Sequence, residues 1–81
     1  MSIDAYEEVD VVQHKRVIAI ISKRTLRDGR VTFAVSFQRR FEQHRRTPWF
    51  FDDYLDEVAE LVPLAKQRLS EAKAREEREQ R

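Results

Sequence analysis

The side chains with most chemistry to offer lie between Gln13 and Phe51. From Gln13 to Arg46 the chain carries Lys15, Arg16, Lys23, Arg24, Arg27, Arg30, Arg39, Arg40, Arg45 and Arg46 against Asp28 and Glu42, ten cations to two carboxylates and a local charge of +8. Phe33, Phe37 and Phe41 are interleaved with these cations, and Trp49-Phe50-Phe51 closes the block. Cations neutralise phosphates, and aromatic rings offer flat faces on which bases stack. The pattern therefore predicts a nucleic-acid surface, for DNA or RNA. Lys23, Arg24, Arg39, Arg40, Arg45 and Arg46 are the expected phosphate contacts, and Phe41 or Trp49 the stacking residue. The flanks have the opposite sign. Asp4, Glu7, Glu8 and Asp10 precede the block, and Asp52, Asp53, Asp56, Glu57 and Glu60 follow it, so the formal net charge of +1 conceals it. A competing expectation is that the cations pair with this acidic segment, in the same chain or in a second copy.

Catalytic chemistry has little footing. Asp52, Asp53, Asp56 and Glu57 sit where the first turn of a helix favours anions for dipole reasons. His14 and His44 have neither cysteine companions nor metal-binding spacing. Ser22, Ser36 and Ser70 lack a nucleophile-elbow context. With no cysteine there is no disulfide or thiolate, and one glycine leaves no room for a phosphate-cradling loop. The expectation is a non-enzymatic protein without cofactor or metal.

These residues must be held by a small sheet and a helix. Arg16–Leu26 and Arg30–Phe41 read as strands rich in β-branched and aromatic residues, and Asp28-Gly29 between them is a hairpin signal. Along the second strand Val31, Phe33, Val35, Phe37 and Phe41 share one face, and Thr32, Ala34, Ser36, Gln38 and Arg40 the other. Two registers are open. A two-residue turn sets Leu26 opposite Val31 and Ile20 opposite Phe37. A three-residue loop, Arg27-Asp28-Gly29, sets Ile21 opposite Val35. Val17–Ile21 is apolar on both faces and does not choose between them. Val9–Gln13 is a third strand or an extension of the first. Gln43-His44-Arg45-Arg46-Thr47-Pro48 reads as a basic loop.

The C-terminal third is helical. Phe51, Leu55, Val58, Val62, Ala65, Leu69 and Ala72 recur at helical spacing, Tyr54 and Leu61 widen that stripe, and Thr47 or Asp52 is the start. Phe51 would be the plug that seats the helix on the sheet. Pro63 should kink the helix or start a second one. Two or three short strands cover only part of such a helix, so Leu64, Leu69 and Ala72 become candidates for a homodimer contact or a partner groove. Ser70–Arg81 reads as a charged, fraying tail with Glu71–Arg75 and Glu77–Arg81 at ion-pair spacing.

Eighty-one residues bound the chain to one domain, read as 1–69 plus the tail 70–81. The balance of 41% apolar and 38% charged residues suits a folded soluble protein rather than a disordered one. The acidic Met1–Asp10 is unlike a secretory signal, and the longest apolar run, Val17–Ile21, is too short to cross a bilayer. A cytoplasmic α+β protein is expected, with no membrane partner. Its antiparallel sheet has two to three strands, followed by a long helix.

Two family resemblances add to this. His14-Lys15-Arg16, Asp28-Gly29-Arg30-Val31 and Phe51-Asp52-Asp53-Tyr54-Leu55 make Val9–Leu61 resemble a single Pur-type repeat. That resemblance implies a twisted four-stranded sheet followed by a helix, binding of single-stranded nucleic acid through cations and aromatics such as Lys23, Arg24, Arg39 and Phe37, and work in pairs of repeats, hence a homodimer. The residue reading yields only two to three strands. Val17–Val62 also looks like a chromodomain, in which Phe37 and Trp49 would wall a methyl-lysine cage. Arg40 stands where that family expects a further aromatic. The rival function to nucleic-acid binding is a small protein-interaction or dimerisation module built on the helix.

Overall fold

The computed structural model describes residues 6–41 and 45–79. Gln43 and His44 of the expected basic loop, and Arg81 of the expected Glu77–Arg81 pair, lie outside the described residues. Four antiparallel strands run in sheet order β1(Glu7–His14), β2(Val17–Thr25), β3(Val31–Phe41) and β4(Arg45–Thr47). A 3-10 turn, Asp52–Tyr54, then leads into α1(Leu55–Glu79). The α+β order holds, but the strand count is four rather than two to three. Arg45–Thr47 forms a strand where a loop was expected, because it pairs with the end of a β3 long enough to run past β2.

Ile21 lies opposite Val35 and Thr25 opposite Val31. Leu26 N–H donates to Arg30 O at 2.7 Å and Gly29 N–H to Leu26 O at 2.9 Å, which leaves Arg27-Asp28-Gly29 as the loop. Gly29 takes φ +89°, a conformation that only glycine adopts without strain. This register places Val17, Ala19, Ile21 and Lys23 of β2 on the same face as Phe33, Val35 and Phe37 of β3. That face receives α1.

The helix is seated by Leu61, Ala65 and Ala72, with Tyr54, Val58 and Leu69 partly buried beside them. This stripe is rotated from the expected one, and Leu55 and Val62 are exposed. Phe51 is not the plug. It is 64% exposed, and Phe50 packs on the core in its place. The reason is local: Phe51 is still extended (φ −80°, ψ 161°), so helical periodicity does not reach back to it. Nor does Pro63 start a second helix. It is exposed inside a single 25-residue helix, and the buried Leu61 and Ala65 on either side hold both flanking turns to the sheet.

Among the described residues no helix covers the other face, yet Ile18 there is 1% exposed and Ile20 is also buried. The sheet curls over them. Glu8 and Arg46 belong to opposite edge strands and are offset by six residues along β3, since Glu8 faces Ser22, Ser22 faces Ala34, and Arg40 faces Arg46. In a flat sheet their backbones would be separated by about 20 Å along the strands and about 14 Å across them. Even so, Arg46 Nη1 reaches Glu8 Oε2 at 3.4 Å. Strong strand twist, which swings diagonal corners of a sheet toward one face, accounts for this. Arg40 Nη1 donates to Gln13 Oε1 at 2.9 Å and ties β3 to β1 across β2 on the same face.

Candidate nucleic-acid interface

The strand pleat divides the basic block between two environments. On the helix-covered face, cations meet carboxylates of α1 and of the 3-10 turn before it. Arg16 Nε donates to Glu57 Oε2 at 2.9 Å, its Nη2 binds the same carboxylate, and its backbone N–H donates to Oε1 at 3.0 Å. Arg16 also approaches Asp53 at 3.5 Å. Glu57 is only 8% exposed, and the Arg16 hydrogen bonds hold its carboxyl below the ordinary 4.5. Lys23 Nζ donates to Glu76 Oε2 at 3.0 Å, which raises the ammonium pKa. His14 Nε2 and Lys15 Nζ both meet Glu60 Oε1, at 2.9 and 3.2 Å. The polarity reverses once. Arg68 of α1 holds Asp10 of β1 with two parallel bonds of 2.7 and 2.8 Å, which lower the Asp10 pKa.

Lys23 is therefore engaged inside the molecule and leaves the expected phosphate-binding set. Arg24, its neighbour, points to the other face, where its guanidinium lies 5.0 Å from the Tyr6 ring. The buried Nε of Arg24, Oγ1 of Thr32 opposite it, and Oε1 of Gln38 on the same face have no hydrogen-bond partner.

Arg39, Phe41 and Trp49 do come together, with Arg45 opposite Phe41 on β4, whereas Arg46, opposite Arg40, lies on the other face and reaches Glu8. The first three gather where β3 ends, β4 pairs with it, and the chain turns toward the helix. Arg39 Nε donates to Trp49 O at 3.2 Å, and Trp49 N–H donates to Thr47 Oγ1 at 3.2 Å. These bonds fix the Trp49 backbone and leave the residue 79% exposed. The Arg39 guanidinium lies 5.4 Å from the Phe41 ring, 5.0 Å from Phe51 and 5.2 Å from Tyr54. On the far side, Arg16 lies 3.8 Å from Tyr54. The result is a layered corner of guanidinium and ring, in which cation and π-face attract each other. Arg45 is exposed on β4 opposite Phe41, and Arg46, also exposed, lies on the other face, where it meets Glu8 at 3.4 Å. Among the described residues, no carboxylate pairs with Arg24, Arg39 or Arg40.

Sequence reasoning missed Arg16, Tyr54 and Phe51 as members of this corner. The spacing Phe51-x-x-Tyr54 was available, but it read as helix stripe. The expected partner contact fares unevenly. Leu64 is exposed at 39%, whereas Leu69 packs on the core and Ala72 is 5% exposed against the sheet. The helix does not overhang at Leu69, because β2 and β3 are 9 and 11 residues long and support it as far as the Glu76–Lys23 contact. Glu71 approaches Arg68 at 4.0 Å. Among the described residues, no cluster of three His, Asp or Glu is placed to hold a metal. No helix among them is long and apolar enough to cross a membrane.

No protein-family model, curated protein or solved structure matches the chain.

Proposed function

We propose that the corner built from the end of β3, β4 and Trp49-Phe50-Phe51 binds nucleic acid without catalysis. One observation carries this reading: an indole 79% exposed and a phenyl ring 64% exposed stand beside Arg39, which has no carboxylate partner among the described residues. Exposed large aromatics next to cations offer stacking and phosphate attraction in one place. Arg39 and Arg45 act on phosphates at the corner, Trp49 stacks, and Arg46, Arg40 and Arg24 extend the track over the curled face. Phe41 supports Arg39 rather than meeting a base. A single-stranded partner fits best, because the bases of a duplex are already stacked on each other and leave the indole no face to cover. The Pur-type resemblance implies the same partner, and the four strands followed by a helix are the order it calls for. On this reading no cofactor takes part, and the protein works in the cytoplasm.

The test is fluorescence anisotropy with labelled single-stranded DNA, single-stranded RNA and duplex, each titrated at several salt concentrations. Binding that weakens steeply with salt and favours single strands is expected. Absence of binding at low salt would reject the reading and leave the exposed aromatics to a protein partner.

A further inference from the structure

The two edges of the sheet are unlike. The outer strand β1 carries Glu7, Glu8 and Asp10 and breaks register between Glu8 and Asp10, so charge and a bulge guard that edge. On the other side β4 pairs only with Arg39–Phe41, and β3 from Val31 to Gln38, paired with β2 on its inner edge, has no neighbour on its outer edge among the described residues. This stretch, Val31-Thr32-Phe33-Ala34-Val35-Ser36-Phe37-Gln38, contains no charge, proline, glycine or bulge. Native edge strands rarely go so unguarded, because their free N–H and C=O groups are a template for pairing.

The open groups can be assigned. Arg40 N–H donates to Arg16 O, and Leu26 N–H to Arg30 O. Alternation along an antiparallel ladder then turns the N–H and C=O of Thr32, Ala34, Ser36 and Gln38 toward β2. Those of Val31, Phe33, Val35 and Phe37 turn outward.

The geometry points to a second copy of this chain as the occupant, paired β3 to β3 in antiparallel fashion about a two-fold axis at Ala34. The strand is nearly its own mirror about that residue. Phe33 meets Val35 of the partner subunit, Val31 meets Phe37 of the partner subunit, Thr32 meets Ser36 of the partner subunit, and Ala34 meets itself. This is the one two-fold register in which all four outward residues exchange both hydrogen bonds. It sets apolar against apolar on the helix side and small against small on the other, and brings no like charges together. The Phe37 ring of the partner subunit would lie beside Val31, at a shallow cleft lined by Val31, Phe33, Lys73, Glu76 and Glu77. β4 ends at Thr47 opposite Arg39, so among the described residues no strand pairs with that edge from Val31 to Gln38. The joined sheet has eight strands. This assembly does not rest on the nucleic-acid reading.

The full chain is tested without nucleic acid, by sedimentation up to on the order of 100 μM, the range in which a contact of modest area is populated. A dimer is expected. Ala34→Arg, which sets two cations face to face on the axis, should sediment as a monomer while keeping its far-UV circular dichroism. The chain has no cysteine, so Ala34→Cys adds a single thiol. At a non-hydrogen-bonded antiparallel pair the two backbones lie about 4.5 Å apart, within disulfide reach. Oxidised glutathione should therefore link Ala34→Cys into a dimer and leave Thr32→Cys, off the axis, largely unlinked. A monomeric wild type would overturn the assembly, as would equal linking of both variants. So would a dimer that survives Ala34→Arg but dissociates on Leu64→Arg, since that would place the contact on the helix.

Discussion

On the face of the sheet that α1 covers, Arg16 and Lys23 end on Glu57 and Glu76. On the other face Arg24 ends over the Tyr6 ring and Arg40 on the Gln13 amide. Lys23 and Arg24 are neighbours in sequence, yet the pleat sends one to a helix carboxylate and the other to a face with no helix. The buried stripe of α1 explains the asymmetry. Glu57, Arg68 and Glu76 occupy the same side of the helix as Leu61, Ala65 and Ala72 and reach the sheet as those apolar residues do. Partly desolvated carboxylates attract the nearest cations more strongly than water-exposed ones would. The acidic segment therefore neutralises Lys15, Arg16 and Lys23, the cations within reach of the helix carboxylates, and leaves Arg39, on the same face, to the aromatic rings. What remains for a partner is the curled face and the corner around Arg39 and Trp49.

This contrast can be broken at several points, and the largest effect should come from the seam itself. Leu61 is fully buried between helix and sheet. Leu61→Ala should cost about 2–5 kcal/mol in urea unfolding, and the variant that remains folded should bind nucleic acid as before. Trp49→Ala does the converse. It should weaken single-strand binding by about 1–3 kcal/mol and move stability by less than about 0.5 kcal/mol; an unchanged affinity would remove the indole from the site.

Arg45→Ala with Arg46→Ala should weaken binding to all sequences and lower the salt slope by about two. Lys23→Ala, on the paired face, should leave that slope unaltered. If Lys23→Ala flattens the slope as much as the loss of an arginine, the helix does not sequester the cation and the two faces are equivalent.

Acid should loosen the covered face selectively. Glu57 is held below its ordinary value by Arg16, Asp10 by Arg68, and Glu60 by His14 and then Lys15. A carboxyl with a folded pKa below its unfolded one stabilises fully above the unfolded value. That contribution is lost as pH falls through the folded value. The urea midpoint should therefore fall as pH drops below about 4.5, and Glu57→Gln should shallow that decline. The smallest effect is expected at the β1–β2 turn, where Lys15 takes φ 54°. Lys15→Gly should relieve the left-handed strain but also remove the Lys15 bond to Glu60, so the net gain in stability, read from the thermal midpoint, should be at most a few tenths of a kcal/mol.

Much of this molecule can be read along the chain. Period-two alternation in Val31–Phe41 and the long helical segment announce a sheet followed by a helix, because each depends on a local repeat. The basic block and its aromatics are equally plain, and Arg39, Phe41 and Trp49 do share a corner with Arg45 beside them on β4. The rotated helix face was not legible. A search for apolar spacing selects Leu55 and Val62 and passes over Glu57, Arg68 and Glu76, whose burial depends on partners far away in sequence. β4 was equally hidden, since three residues carry no period of their own and form a strand only against the end of β3.

The order of sheet then helix and the sign of the local charge thus follow from the sequence alone, through short-range sterics and composition. Which cations stay free, which helix side is buried and which strand edge is open follow from the tertiary structure. Register, sheet curl and helix rotation are settled jointly by contacts between residues dozens of positions apart. Val17–Ile21, apolar on both faces, would have accepted either register; the positive φ of Gly29 and the seating of α1 selected one.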